Sequence, residues 1–157
     1  MRKIVYHCYG GAHSSVVAAN IHVGELPRDK VPSKNELLYT KLFDSQKNIL
    51  KGKLHYFGRD TEGNHIYSCG MGSDSKTIKT AMVDILQIYD LDTHHLKFVD
   101  TLTCVNVSMR VGGFLSQRLG LIKVGRPLVL SGTQKAYLQI AGVVKKTKNE
   151  IKNNTKG

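Results

Sequence analysis

The 157-residue sequence predicts an α/β fold, a three-layer sandwich with a mainly parallel sheet and an inserted hairpin. Three observations carry that expectation. Short β-like runs alternate with helical patterns, the order that produces parallel strands covered by helices on both faces. The segment Ile78, Ala81, Met82, Ile85, Leu86, Tyr89 recurs at the three-and-four spacing of one helical face. Two adjacent runs, 53–57 and 65–69, flank Asp60-Thr61-Glu62-Gly63-Asn64, a hairpin connection in which Gly63 can take positive φ.

The elements follow in chain order. Lys3 to Cys8 reads as the first strand, and Tyr9-Gly10-Gly11 leads into a helix over Val16 to Val23 with Ser14 or Ser15 as its N-cap. That helix is apolar on most faces, which requires burial against a sheet; Gly24 and Pro27 stop it. Ser33 and Glu36 form a capping box ahead of Leu37, Leu38 and Leu42. Beyond the hairpin and the amphipathic helix, Leu96 to Val99 is a short strand ending at Asp100-Thr101. Residues 106–119 have helical spacing, and Gly112-Gly113 predicts either a break or a close approach, since each glycine costs about 1 kcal/mol in a helix interior. Pro127 to Leu130 reads as a last strand, with Thr133 capping a final helix. One domain over 1–144 is expected, followed by a basic tail over 145–157 that ends the last helix or is disordered.

Composition bounds the function. The formal charge is +11; five of the 23 basic residues and one of the 12 acidic ones lie in 144–157, so the body keeps +7. Such a surface attracts polyanions and steers anionic ligands. No helix-turn-helix, zinc-finger or RNP pattern accompanies it, and there is no tryptophan. Nucleic acid or a protein partner held by the basic face is therefore the rival reading. No run approaches the roughly 20 apolar residues that span a bilayer, and the N-terminus lacks a secretory signal, so the expectation is a cytoplasmic protein with no membrane partner. Cys8, Cys69 and Cys104 are odd in number and lack a CxxC pair, which argues for free thiols over disulfides or a thiolate zinc site. His94 and His95 are adjacent and point apart on most backbones, so no metal and no cofactor are expected.

In parallel sheets ligands bind at the carboxyl ends of the strands. Three such ends are expected: Cys8 to Ser15, Asp100 to Arg110, and Ser131-Gly132-Thr133. In the first, the N–H groups of Gly10 and Gly11 and the positive end of the following helix are suited to an oxyanion, with Ser14 and Ser15 adding hydroxyl donors. A thiol at Cys8 facing that terminus has its thiolate stabilised and becomes a candidate nucleophile. It would attack phosphorus or act in redox exchange, with His13 or Arg110 as charge partner. Ser131 and Thr133 complete the candidate ligand set. The expected ligand is a small phosphorylated molecule or inorganic oxyanion; no oligomeric state is predicted.

The run Cys8-Tyr9-Gly10-Gly11-Ala12-His13-Ser14-Ser15 resembles the active-site loop of low-molecular-weight tyrosine phosphatases and the related arsenate reductases, where cysteine is followed by x-Gly-x-x-x-Arg-Ser. Cysteine, glycine and the second hydroxyl coincide. Ser14 stands in place of the arginine that clamps the phosphoryl oxygens, and no aspartate-proline pair supplies the leaving-group acid. The likeness covers residues 3–23. Over its whole length the chain also resembles an uncharacterised family of small bacterial proteins, through 6–19, 112–120 and 125–137, a likeness that implies one locus and no activity.

Gly70 to Thr77 reads GxxxxSKT, one residue short of the nucleotide-binding P-loop. Serine replaces the glycine that lets such a loop wrap the β-phosphate, which leaves a degenerate P-loop as a further alternative and a capped helix as the plain one.

Overall fold

The computed structural model describes residues 1–45 and 51–153. Residues 154–157, the end of the expected basic tail, lie outside the described residues.

Strand β1 (Lys3–Cys8) is the centre of the fold. It pairs in parallel with β3 (His65–Gly70) on one side and β4 (Leu96–Asp100) on the other, and β2 (Leu54–Arg59) adds antiparallel to β3. Among the described residues the sheet therefore runs β2-β3-β1-β4, a mostly parallel sheet carrying one hairpin strand. Gly63 has φ 79° in the hairpin turn.

Alternation along β1 divides the core. Ile4 and Tyr6 join the larger cluster with helix α1 (Ser14–Val23) and helix α5 (Ile122–Asn153), while Val5 packs on the opposite face with Cys69, Met71, and Ile78 and Met82 of helix α3 (Ser75–Ile88). The two covered faces make three layers. Helix α1 is buried from Ser14 through His22, as a helix apolar on most sides must be. Its N-cap is His13, with no side-chain cap bond. Ser14 and Ser15 instead lie in the first turn with their hydroxyls directed inward. The short helix α2 (Lys34–Tyr39) has the expected capping box between Ser33 and Glu36.

Two expectations are corrected in the last third of the chain. Pro127 to Leu130 is not a strand, and Thr133 caps nothing: both lie inside α5, a single helix of 32 residues. A short apolar run such as Leu128-Val129-Leu130 fits a strand or a buried helix equally well. Packing decides it, because the buried positions Gly125, Val129, Gly132, Ala136, Ile140, Val144, Thr147 and Ile151 form one continuous three-and-four stripe. Pro127 near the helix start removes one backbone donor. The basic segment continues that helix, with Thr147 and Ile151 buried and Lys97 paired to Glu150 at 2.6 Å.

Helix α4 (Val107–Gln117) runs unbroken through Gly112-Gly113, so the close approach is what those glycines serve. A Cβ on Gly112 would sit 2.7 Å from the Gly125 carbonyl oxygen and from the Val129 nitrogen, and a Cβ on Gly125 would sit 2.6 Å from the Gly112 oxygen. The two helices touch backbone to backbone.

A buried polar relay crosses the larger core. The Tyr6 hydroxyl donates to His22 Nδ1 at 2.7 Å, and His22 Nε2–H donates to Asp60 Oδ2 at 3.0 Å. Asp60 also accepts from the backbone of Glu62 and Asn64. The arrangement satisfies a neutral ring. Burial, with Lys148 close by, pushes His22 down to about 4 against the pull of Asp60.

Two outcomes follow for stability. Gly112→Val is expected to cost about 3 kcal/mol in urea denaturation through overpacking, whereas Gly142→Ala, with nothing within 4 Å of its Cβ, gains about 1 kcal/mol of helix propensity; equal effects at the two sites would refute the backbone contact. The native state holds His22 neutral while the unfolded chain protonates it near the ordinary imidazole value. Stability therefore rises by about 3 kcal/mol between pH 4 and 6.5 and is level above. Denaturation curves for the parent and His22→Gln, which lacks the titrating ring, measure that slope, and an unchanged slope in the variant would remove His22 as its source.

Candidate functional site

The carboxyl ends of β1, β3 and β4 open into a cleft of about 830 Å³ lined by Cys8, Gly10, His13, Ser14 and Arg110 among others. Five of the residues singled out from sequence thus share one locus. Gly11 and Ser15 lie beneath it. Ser131 and Thr133 do not line it: they belong to the middle of α5, and the Thr133 hydroxyl is buried with no hydrogen-bond partner among the described residues. The third expected strand end does not exist. Its place at the cleft is taken by the end of β3, through Gly72, Ser73 and Ser75.

The two glycines of the first loop have different work. Gly11 has φ 69°, and a Cβ there would lie 2.5 Å from the Gly70 nitrogen, so it lets the loop rest on the end of β3. Gly10 has open space where its Cβ would be. The N–H of Gly11 donates to Cys8 Sγ at 3.2 Å, and Ser15 Oγ lies 3.2 Å from the same sulfur. Cys8 is 6% exposed. The Thr101 hydroxyl donates to the His7 carbonyl, so the Ser14 hydroxyl at 3.0 Å donates to Thr101. Its proton is committed within the protein, which corrects the expectation that this side chain offers a ligand a donor. Among the described residues no group accepts from the N–H of Gly10, Ala12 or Ser14, and all three residues line the cleft.

The other thiols are different. Burial pushes Cys69 up to about 11 and raises Cys104; Cys69 donates weakly to the Gly70 carbonyl.

His13 is fixed by a residue that no sequence pattern singles out. Asp44, its side chain 1% exposed, accepts from His13 Nε2 at 3.1 Å, Ser116 Oγ at 3.1 Å, Gln117 Nε2 at 2.8 Å and Arg126 Nε at 2.9 Å. Its own N–H donates to the Ala12 carbonyl. Burial alone would raise the Asp44 carboxyl, but the bonds from His13, Arg126 and Gln117 outweigh it and hold the group well below the usual carboxylate range. A Cβ on Gly113 would sit 3.1 Å from His13 Cε1, so the close approach at that glycine receives the His13 ring.

The rim is cationic. Arg118 donates to the Tyr9 hydroxyl at 3.0 Å, and Lys51 Nζ stands 5.6 Å from the Tyr9 ring centroid. Arg110 lies on the same side, exposed and without a hydrogen bond or ion pair to a described residue. Arg118, and not the expected Arg110, is thus the arginine that bonds the first loop. His7, 2% exposed, reaches the cleft from β1 with no side-chain hydrogen bond among the described residues; its Nδ1 is 4.0 Å from Asp100 Oδ1. Burial lowers its pKa against the pull of Asp100. A histidine closing an otherwise apolar strand was the signal that could have found it.

The GxxxxSKT segment does connect a strand to a helix, yet its N–H groups at Met71 and Gly72 donate to the carbonyls of Cys8 and Tyr9. Those donors brace the first loop. No cluster of three or more His, Cys, Asp or Glu able to hold a metal occurs among the described residues, and none of their helices is long and apolar enough to cross a membrane.

Removing the Asp44 carboxylate leaves buried donors unpaired. Asp44→Ala is expected to lower stability by about 3 kcal/mol or more in urea denaturation, and to shift the His13 ring resonances in NMR spectra. Unmoved His13 resonances would show that Asp44 does not position the ring.

No curated protein and no solved structure matches the sequence. A family model described as "Protein of unknown function (DUF3189)" matches residues 3–149. That span begins with β1, covers every residue named at the cleft, and stops within α5. The chain belongs to that family.

Proposed function

We propose that the cleft binds the phosphate-like group of a small ligand above the first loop. The observation that carries this reading is the meeting, in one cleft, of three uncommitted loop amides (Gly10, Ala12, Ser14) with the cationic rim of Lys51, Arg110 and Arg118. Amides at the start of a buried helix favour negative charge, and cations at the rim of the cleft add to it. Arg110 of α4 and Arg118 at its end stand in for the arginine missing from the loop, and Gly10 leaves room for an oxygen to approach the backbone.

A second reading concerns turnover and is favoured by the surroundings of Cys8: the Gly11 N–H donates to its Sγ, and the Ser15 hydroxyl lies within hydrogen-bond distance of the same atom. In phosphoryl transfer the Sγ–P bond forms as the P–O bond to the departing alcohol breaks, and His13, its ring held by Asp44, protonates the leaving oxygen. Water then cleaves the Sγ–P bond, returning its proton to His13 and releasing phosphate. Arg110 and the loop amides balance the charge that develops on the phosphoryl oxygens.

Titration with inorganic phosphate is expected to shift the backbone amide resonances of Gly10, Ala12 and Ser14, and to slow alkylation of Cys8 by iodoacetamide. Gly10→Asp, which places a carboxylate in that open space, and Arg118→Ala are each expected to weaken phosphate binding at least about tenfold, one charge-assisted contact. Resonances that stay fixed at millimolar phosphate would defeat the binding reading; amide shifts beside a sluggish, phosphate-insensitive thiol would defeat only the nucleophile.

A further inference from the structure

The cleft is larger and more apolar than an oxyanion needs. A volume of about 830 Å³ falls in the roughly 300–1,000 Å³ range of sites for whole organic ligands. Opposite the first loop, its wall is built from Leu102, Val105, Met109 and Phe114. Leu102 is 36% exposed and Phe114 50% exposed, so two large apolar side chains stand open to the cleft. Arg110 and Phe114 of α4 and Arg118, the residue that ends it, follow one another at i, i+4 and i+8 and therefore share one ridge. Each flank of the exposed ring carries a guanidinium.

Two polar side chains beside this wall are held within the protein. Gln117 donates its amide to Asp44, and Asp100 Oδ1 accepts from the Leu102 N–H at 2.7 Å. A nucleobase would need hydrogen-bonding partners for its edge, and the side chains of Leu102, Val105, Met109 and Phe114 offer none. An alkyl body needs only apolar area.

We propose that the ligand is an aliphatic phosphate monoester, its head on the first loop and its alkyl chain against Leu102, Val105, Met109 and Phe114. This rests on the anion-binding reading and adds the chemistry of the body. Charge complementarity with the rim selects the anionic head, and the wall selects the chain.

Calorimetric titration with inorganic phosphate, methyl, butyl and hexyl phosphate, adenosine monophosphate and hexanol tests it. Each methylene from methyl to hexyl phosphate is expected to tighten binding about fourfold, the value of a buried methylene. Phe114→Ser, at a half-exposed position, is expected to flatten that dependence; Leu102→Ser is the second variant should the first fail to fold. Inorganic phosphate that binds with no gain along the alkyl series would overturn the alkyl body and leave the anion site standing. Hexanol binding as tightly as hexyl phosphate would overturn both. Adenosine monophosphate binding more tightly than hexyl phosphate would overturn the aliphatic assignment in favour of a nucleotide.

Discussion

The buried carboxylate of Asp44 is the interaction on which the cleft depends. It receives donors from the first loop, from α4 and from the start of α5, three pieces that are remote in sequence and do not otherwise share a strand. A desolvated anion is costly alone and stable only when fully bonded, and four side-chain donors meet that condition. Each piece is thereby located relative to the others. The His13 ring, the wall of α4 and the loop that carries Cys8 all take their positions from it.

Glycine contacts complete what the carboxylate begins. Gly11 rests against Gly70, and Gly112 against Gly125, each at distances no side chain tolerates. The first contact seats the loop after β1 on the loop after β3; the second brings α4 down onto α5. Carboxylate and glycines together fix both walls of the cleft, one of them polar backbone and the other apolar side chain.

Much of the fold was legible because it was local. The β1 run, the capping box at Ser33, the hairpin turn at Gly63 and the α3 stripe each express a period or a turn that a few neighbouring residues determine. The stretch from Pro127 to Leu130 misled because four residues opening on a proline carry no decisive period, while the stripe that identifies α5 needs the whole span from Gly125 to Ile151. The loop from Cys8 to Ser15 was readable as a site from its residue types. Asp44 was not, since its role exists only when Ser116, Gln117 and Arg126 have been brought to it. The direction of the Ser14 hydroxyl was likewise invisible, being set by Thr101 on a neighbouring strand end. Glycine at 113 announced a close neighbour without revealing that the neighbour is His13.

The spacing of the Asp44 contacts also bears on how the molecule is made. Its partners at Ser116, Gln117 and Arg126 lie 72, 73 and 82 residues further along. On the ribosome, the sheet strands and α1 are all synthesised before three of this carboxylate's four side-chain donors exist. Assembly of the pocket is therefore a late event in biosynthesis, completed only when the first turns of the final helix leave the exit tunnel.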